Sequence, residues 1–366
     1  MRVRGFSLIE LLVSLAIGSI LLVGAVYVYQ NGRQTYAINE SVARLQDQGR
    51  YVFSVMEPEI EMAGFYGFTN TADSIGFVSA TNPGAVIPAA RLRQHPQPPL
   101  APAPVPAPGL PTAAHQCGIN FAVDLLMPIQ GSNDGLVAGM PFTCAPSAVA
   151  GGAAPTADTL TIRHAGLEPV AARAGRLQLY ASRLTSRTAQ RLFDDGNAPG
   201  IVNADHQIRD LIVRAYYVAN NSVDRPGFPA LRVKTLTEAG GAPVFTDTEV
   251  ISGVEDLQVQ FGIDTGDYDN DGVVDPGADV NNDGIIETDG RATRYVSPDF
   301  PDLERFQIVA VRVWLRLRAD QTEIGFSDAG RTYRYADVTY VPTAADARFR
   351  RAVMSRTISL RNSRVL

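Results

Sequence analysis

Hydrophobic positions along the chain fall into three regimes. From Phe6 to Val28 nearly every residue is apolar, and the one charge is Glu10. As a helix rising ~1.5 Å per residue, this stretch reaches roughly 35 Å, enough to cross a hydrocarbon core of about 30 Å. The pattern then becomes one-sided. Ile38, Val42, Leu45, Gly49, Val52, Met56 and Ile60 recur every three or four positions, with Asn39, Glu40, Arg44, Asp47 and Arg50 between them. That spacing predicts an amphipathic continuation of the same helix to about Ala63, with a kink possible at Pro58 and a stop at Gly64.

Residues 64–157 lose the periodicity. Their Pro/Ala-rich run 94–111 is expected to be extended and exposed, and the segments 117–144 and 145–157 read as irregular surface. Alternation with period two begins at Asp158. Runs at 158–165, 175–182, 208–220, 230–237, 254–264, 305–319, 331–342 and 350–362 are bounded by turn formers and read as strands. In the sixth of these, Val309, Val311, Val313, Leu315 and Leu317 alternate with Ala310, Arg312, Trp314, Arg316 and Arg318. The expected fold is α+β: a long N-terminal helix, its first half a span, packed on an antiparallel sheet head at 158–366.

A chain of 366 residues with a net charge of −6 gives no overall sign of nucleic-acid binding, and the alternating arginines read as solvated strand faces. Arg2 and Arg4 ahead of the span place the N-terminus in the cytoplasm and the bulk of the chain across the inner membrane. In that oxidising compartment Cys117 and Cys144, the two cysteines, are expected to form a disulfide contributing ~3 kcal/mol by loop-closure entropy. No CxxC and no nearby histidine cluster accompanies them. The four histidines lack metal-protease spacing, and no GxSxG or phosphate loop occurs, so no enzyme is expected.

The start of the chain is unlike an ordinary secretory signal, because its small-residue site, Gly5, precedes the apolar core. The word GFSLIELLVSLAIGSILL joins Gly5, Phe6 and, at the fifth position after the cut, Glu10; it resembles the class III signal of type IV pilins and pseudopilins. The resemblance implies that a prepilin peptidase removes residues 1–5 and methylates Phe6. It also implies a filament partner for Glu10. A carboxylate inside a span costs ~2.5–3.5 kcal/mol unless paired, and the cationic α-amino group of a neighbouring Phe6, with an ordinary pKa of about 8, would supply that pair.

Residues 44–67, 254–265, 305–319 and 349–362 are similar to the PilW family of minor pilins. That likeness implies a role in priming or capping a type IV pilus with other minor pilins and the major pilin, with a tip adhesin as a further partner. A type II secretion pseudopilin is the alternative, and a membrane-anchored calcium-binding adhesion protein is a third.

One constellation remains. In 267–290, Asp267, Asp269, Asp271, Gly272 and Asp275 repeat twelve residues later as Asp279, Asn281, Asp283, Gly284 and Glu287. Alternate oxygens on a tight loop suit calcium, with the carbonyls of Val273 and Ile285 as further ligands. The pattern resembles EF-hand-like and thrombospondin-type repeats. It departs from the EF-hand at position twelve, which is Ala278 in one copy and Gly290 in the other.

Overall fold

The computed structural model describes residues 7–69, 72–79, 82–88, 92, 117–118, 120–135, 146–183, 190–198, 200, 203–265, 290–301, 303 and 306–362. One helix, α1 (Leu8–Met62), runs unbroken through both hydrophobic regimes and contains Pro58. Ser7 caps its N-terminus. Past Ala63, Gly64 takes a left-handed backbone (φ 78°) that a side chain would strain, and its N–H donates to the Arg163 carbonyl at 3.0 Å.

Fifteen strands follow among the described residues. The first nine form one mostly antiparallel sheet. They are β1 (Gly76–Ser79), β2 (Asn82–Ile87), β3 (Ile129–Ser132), β4 (Thr159–Ala165), β5 (Ala174–Ser182), β6 (Arg191–Asp195), β7 (His206–Ala219), β8 (Ala230–Ala239) and β9 (Ala242–Ser252). A second sheet has the order β11–β10–β12–β15, from β10 (Val254–Asp264), β11 (Arg294–Val296), β12 (Gln307–Thr322) and β15 (Phe349–Ser359). The hairpin β13 (Tyr333–Tyr335) and β14 (Val338–Tyr340) pairs only with itself among the described residues.

The amphipathic stripe of α1 is its buried face. Leu45, Gly49, Val52, Met56 and Ile60 are buried, as is Phe53 beside them. They join Val311, Val313, Leu315 and Leu317 of β12, Leu257, Val259 and Phe261 of β10, and Leu160, Ile162 and Tyr216 of the larger sheet in one core. Burying each such side chain contributes roughly 1.5–3 kcal/mol, so this core is what fixes the helix to the head.

Gly49 packs tightly against the sheet. A Cβ there would fall within contact radius of Met354 Sδ and lie 3.0 Å from Leu317 Cδ1. Gly49→Leu should therefore overpack the seam and cost ~1–3 kcal/mol. The check is a lower urea midpoint at an unchanged slope; an unaltered midpoint would mean the seam can open.

Two expectations need correction. Residues 64–157 are not wholly irregular surface, since they supply β1 to β3 and a second core containing Ile75, Phe77, Phe121, Val123 and Leu125. Within this stretch a buried cation organises residues 121–130. Arg163, fully buried on β4, donates to the Phe121 carbonyl at 2.8 and 2.6 Å, to the Met127 carbonyl at 2.7 Å and to Gln130 Oε1 at 2.8 Å. One guanidinium thus orders a loop that has no hydrophobic period. The run 94–111 lies outside the described residues.

The arginines of β12 are the second correction. Arg316 and Arg318, together with Arg351 on β15, are buried, not solvated. The chain between β12 and β15, hairpin included, covers that part of the sheet face opposite α1.

Candidate functional site

Every residue from Ser7 to Ala37 is exposed, so α1 leaves the head as a bare rod, apolar up to Val28 and polar from Gln30. At its tip the Glu10 N–H donates to Ser7 Oγ at 3.2 Å, and the Ser7 N–H donates back to Glu10 Oε2 at 3.0 Å. This reciprocal capping box satisfies two N–H groups that the helix leaves open. Glu10 therefore has a partner within its own chain. The sequence signal, Ser followed three positions later by Glu, is present but was eclipsed by the cleavage word around it.

At the C-terminal end of α1, ion pairs flank the apolar seam. Glu57 pairs with Arg356 of β15, and Glu61 with Arg361 at 2.6 Å. Glu59 faces β4 and β7, with Oε1 3.1 Å from Arg214 and Oε2 2.9 Å from His164 Nε2. His164 is buried, and its Nδ1 lies 2.8 Å from the Ala165 carbonyl. Burial works against a charge on Glu59, but the His164 hydrogen bond and the nearby cations outweigh it and hold the carboxyl below its usual range.

On the opposite face of the smaller sheet lies a buried polar layer. Arg351 grips Glu255 through Nε at 2.8 Å and Nη2 at 3.0 Å, and reaches Asp328 at 3.3 Å. Arg316 approaches Glu255 at 3.1 Å and donates to Tyr335 Oη at 2.6 Å; that hydroxyl donates in turn to Asp256 Oδ2 at 2.5 Å. Arg316 also stacks 3.6 Å from the Tyr340 ring. Burial pushes the Asp256 carboxyl up to about 6, against the pull of Tyr335 and Arg316. Tyrosines of the hairpin thus rivet it to the sheet. In sequence these arginines looked like any exposed alternating face, because only the covering chain distinguishes the two cases.

Asp158 ties the two sheets together. Its oxygens accept from the N–H of Val259 on β10 at 2.8 Å and of Asp134 at 3.1 Å. Burial still pushes its carboxyl up to about 8. A carboxyl whose pKa is higher folded than unfolded (about 4 unfolded) holds its proton more tightly in the native state. Its contribution is full below about pH 4 and is lost as pH rises toward 8. The protein should melt at lower temperature at pH 8 than at pH 5, and Asp158→Asn should flatten that dependence. An equal slope in both proteins would reject the assignment.

Several expected site residues lie outside the described residues: Gly5, Phe6, Cys144 and 267–289 of the acidic loop. At the base of that loop, the Gly290 N–H donates to Asp264 Oδ2 at 2.8 Å and Thr265 Oγ1 meets Thr293 Oγ1 at 2.9 Å. Cys117 is fully buried in the second core. The described residues contain no cluster of three or more metal-ligating side chains.

Comparison with known proteins adds two family matches. The prokaryotic N-terminal methylation motif matches residues 1–26, and the type IV pilus-assembly protein W family matches residues 215–362, from β7 to the end of the smaller sheet. No curated protein matches the chain. Among solved structures, a type IV-like pilin from Thermus thermophilus is similar over 60% of this chain and 83% of its own, at 14% identity and a TM-score of 0.27. The methylation word thus opens the bare apolar helix, and the type IV pilus-assembly protein W match covers the strands that clasp the other end of that helix.

Proposed function

We propose that the protein is a minor pilin that helps prime a type IV pilus, acting through association and without catalysis. Prepilin peptidase would cut between Gly5 and Phe6 and methylate the new terminus. The mature chain would wait in the inner membrane with its head in the periplasm, then enter the fibre beside other minor pilins and the major pilin. One observation carries this reading: α1 is bare on all sides through its apolar stretch, Ser7 to Val28, and firmly seated from Leu45. An apolar rod of that length is stable only in lipid or among other such helices, and transfer between the two is what pilus assembly requires.

The test is a deletion strain in which surface pili and secreted enzymes are counted together. Loss of pili with intact secretion supports the proposal, whereas normal pili with lost secretion would move the protein to a type II pseudopilus. A tip adhesin would be sought among proteins that leave the pilus along with it.

We also propose that the acidic loop takes calcium and that Cys117 pairs with Cys144. Millimolar calcium should then raise the melting temperature, EDTA should reverse it, and Asp271→Ala should abolish the shift. No shift in the wild type would remove the site.

A further inference from the structure

Beside the root of the exposed rod lies a groove of about 880 Å³ between α1 and the turn that follows β12. Gln30, Arg33 and Gln34 line it from the helix, and Ile324, Phe326 and Arg350 line it from the head. Gln30 and Gln34 lie two and six residues past Val28, so the groove starts ~3 to 9 Å beyond the end of the apolar span. A bilayer's polar layer is roughly 5–7 Å deep on each side, so the end of the groove at Gln30 and Arg33 reaches headgroup depth, while its lining continues along the helix to Leu45.

The turn is braced. Arg350 grips Glu323 through two hydrogen bonds of 2.8 Å, its guanidinium lies 4.3 Å from the Phe326 ring, and the Glu323 N–H donates to the Arg348 carbonyl at 3.0 Å. From this fixed base Ile324 projects with 88% of its surface exposed. Tyr27 and Tyr29 stand exposed on the helix nearby, where aromatic side chains favour a membrane interface.

The charges of the groove single out one group. Arg44 is neutralised by Glu40 at 2.6 Å and Asp320 at 3.6 Å, and Arg350 by Glu323 at 2.8 Å. Arg33 has no ion pair among the described residues and lies 5.9 Å from the Tyr29 ring. A lone guanidinium at headgroup depth, next to a projecting isoleucine, matches an anionic phospholipid: phosphate against arginine, glycerol and upper acyl carbons against Ile324.

We propose that before assembly the head rests on the bilayer through this groove, with an anionic phospholipid headgroup held at Arg33 and Ile324 dipped into the interface. The proposal rests on the membrane-span reading of residues 6–28. Leaving the membrane would then require releasing a lipid as well as withdrawing the span.

The full-length protein would be reconstituted in phosphatidylglycerol–phosphatidylethanolamine liposomes carrying nitroxide lipids. An environment-sensitive fluorescent amino acid would be placed, one at a time, at 21, 167 or 324. Position 167 is the distal control: the Arg209 that donates to its carbonyl stacks 5.4 Å from Phe65, past the far end of α1. Headgroup nitroxide should quench the probe at 324 and not at 167. Arg33→Gln, or phosphatidylcholine in place of phosphatidylglycerol, should lower the docked-to-free ratio roughly fivefold, as expected for one arginine at an anionic surface. Quenching at 324 no greater than at 167, with the probe at 21 quenched by acyl-chain nitroxide, would overturn the proposal alone. It would equally fall if docking proved indifferent to both Arg33 and lipid charge. A probe at 21 that acyl-chain nitroxide leaves bright would overturn the span reading and this proposal with it.

Discussion

Arg351→Met is expected to destabilise the head by ~3–5 kcal/mol, because it leaves Glu255 and Asp328 as buried carboxylates without their principal cation. The side chain of Arg351 is wholly buried and makes bonds of 2.8 and 3.0 Å to Glu255. With typical domain stabilities of about 5–15 kcal/mol, a loss of that size would leave a large unfolded fraction at 37 °C. Much of the cost is the stranded charge rather than the worth of the pair. The double variant Glu255→Gln/Arg351→Met should therefore be more stable than the sum of its two single changes predicts. Urea melts of the full chain in detergent would show both effects. A loss under about 1 kcal/mol for Arg351→Met would mean that the layer admits water and that the arginine is effectively solvated after all.

The second large effect concerns assembly. Glu10→Ala should be cleaved and inserted normally but enter filaments poorly. A carboxylate in the span without a cationic partner costs ~2.5–3.5 kcal/mol, and pairing with a neighbour's amino terminus in the filament would recover that cost. Losing this preference corresponds to about a hundredfold drop in incorporation. The capping box complicates the single variant, since Glu10 also closes its own helix through Ser7. Ser7→Ala separates the roles: it removes the cap's hydroxyl, worth roughly 1 kcal/mol, and leaves the carboxylate. Pili purified from strains carrying each variant would be blotted for the protein. Equal depletion by Ser7→Ala and Glu10→Ala would make the cap the explanation, while wild-type incorporation of Glu10→Ala would remove the pairing role.

What the sequence could reveal depended on whether a residue's surroundings are local. The stripe from Leu45 to Ile60 was readable because helical period and burial coincide, and the strands at 254–264 and 305–319 because period two does the same. Arg163, Arg316 and Arg351 were not readable. Their burial depends on loops that cross the sheet from elsewhere, and nothing in the strand itself records that cover. The segment around Phe121 was opaque for the same reason, as it takes its shape from hydrogen bonds to a side chain 42 positions away. At the site, the cleavage word drew attention to Glu10 as a partner for another chain. Its bond to Ser7 was equally present in the sequence.

The seating of α1 also bears on how the protein carries load. Its contacts with the head are strung along the helix axis, from Arg44 with Asp320, through Gly49 against Met354 and Glu57 with Arg356, to Glu61 with Arg361. In the proposed filament role, a pull on the rod would be directed along that line. The contacts are then strained in shear and share the tension simultaneously, instead of parting one after another as in peeling. A helix held in this way can pass traction to the head without the individual bonds having to be strong.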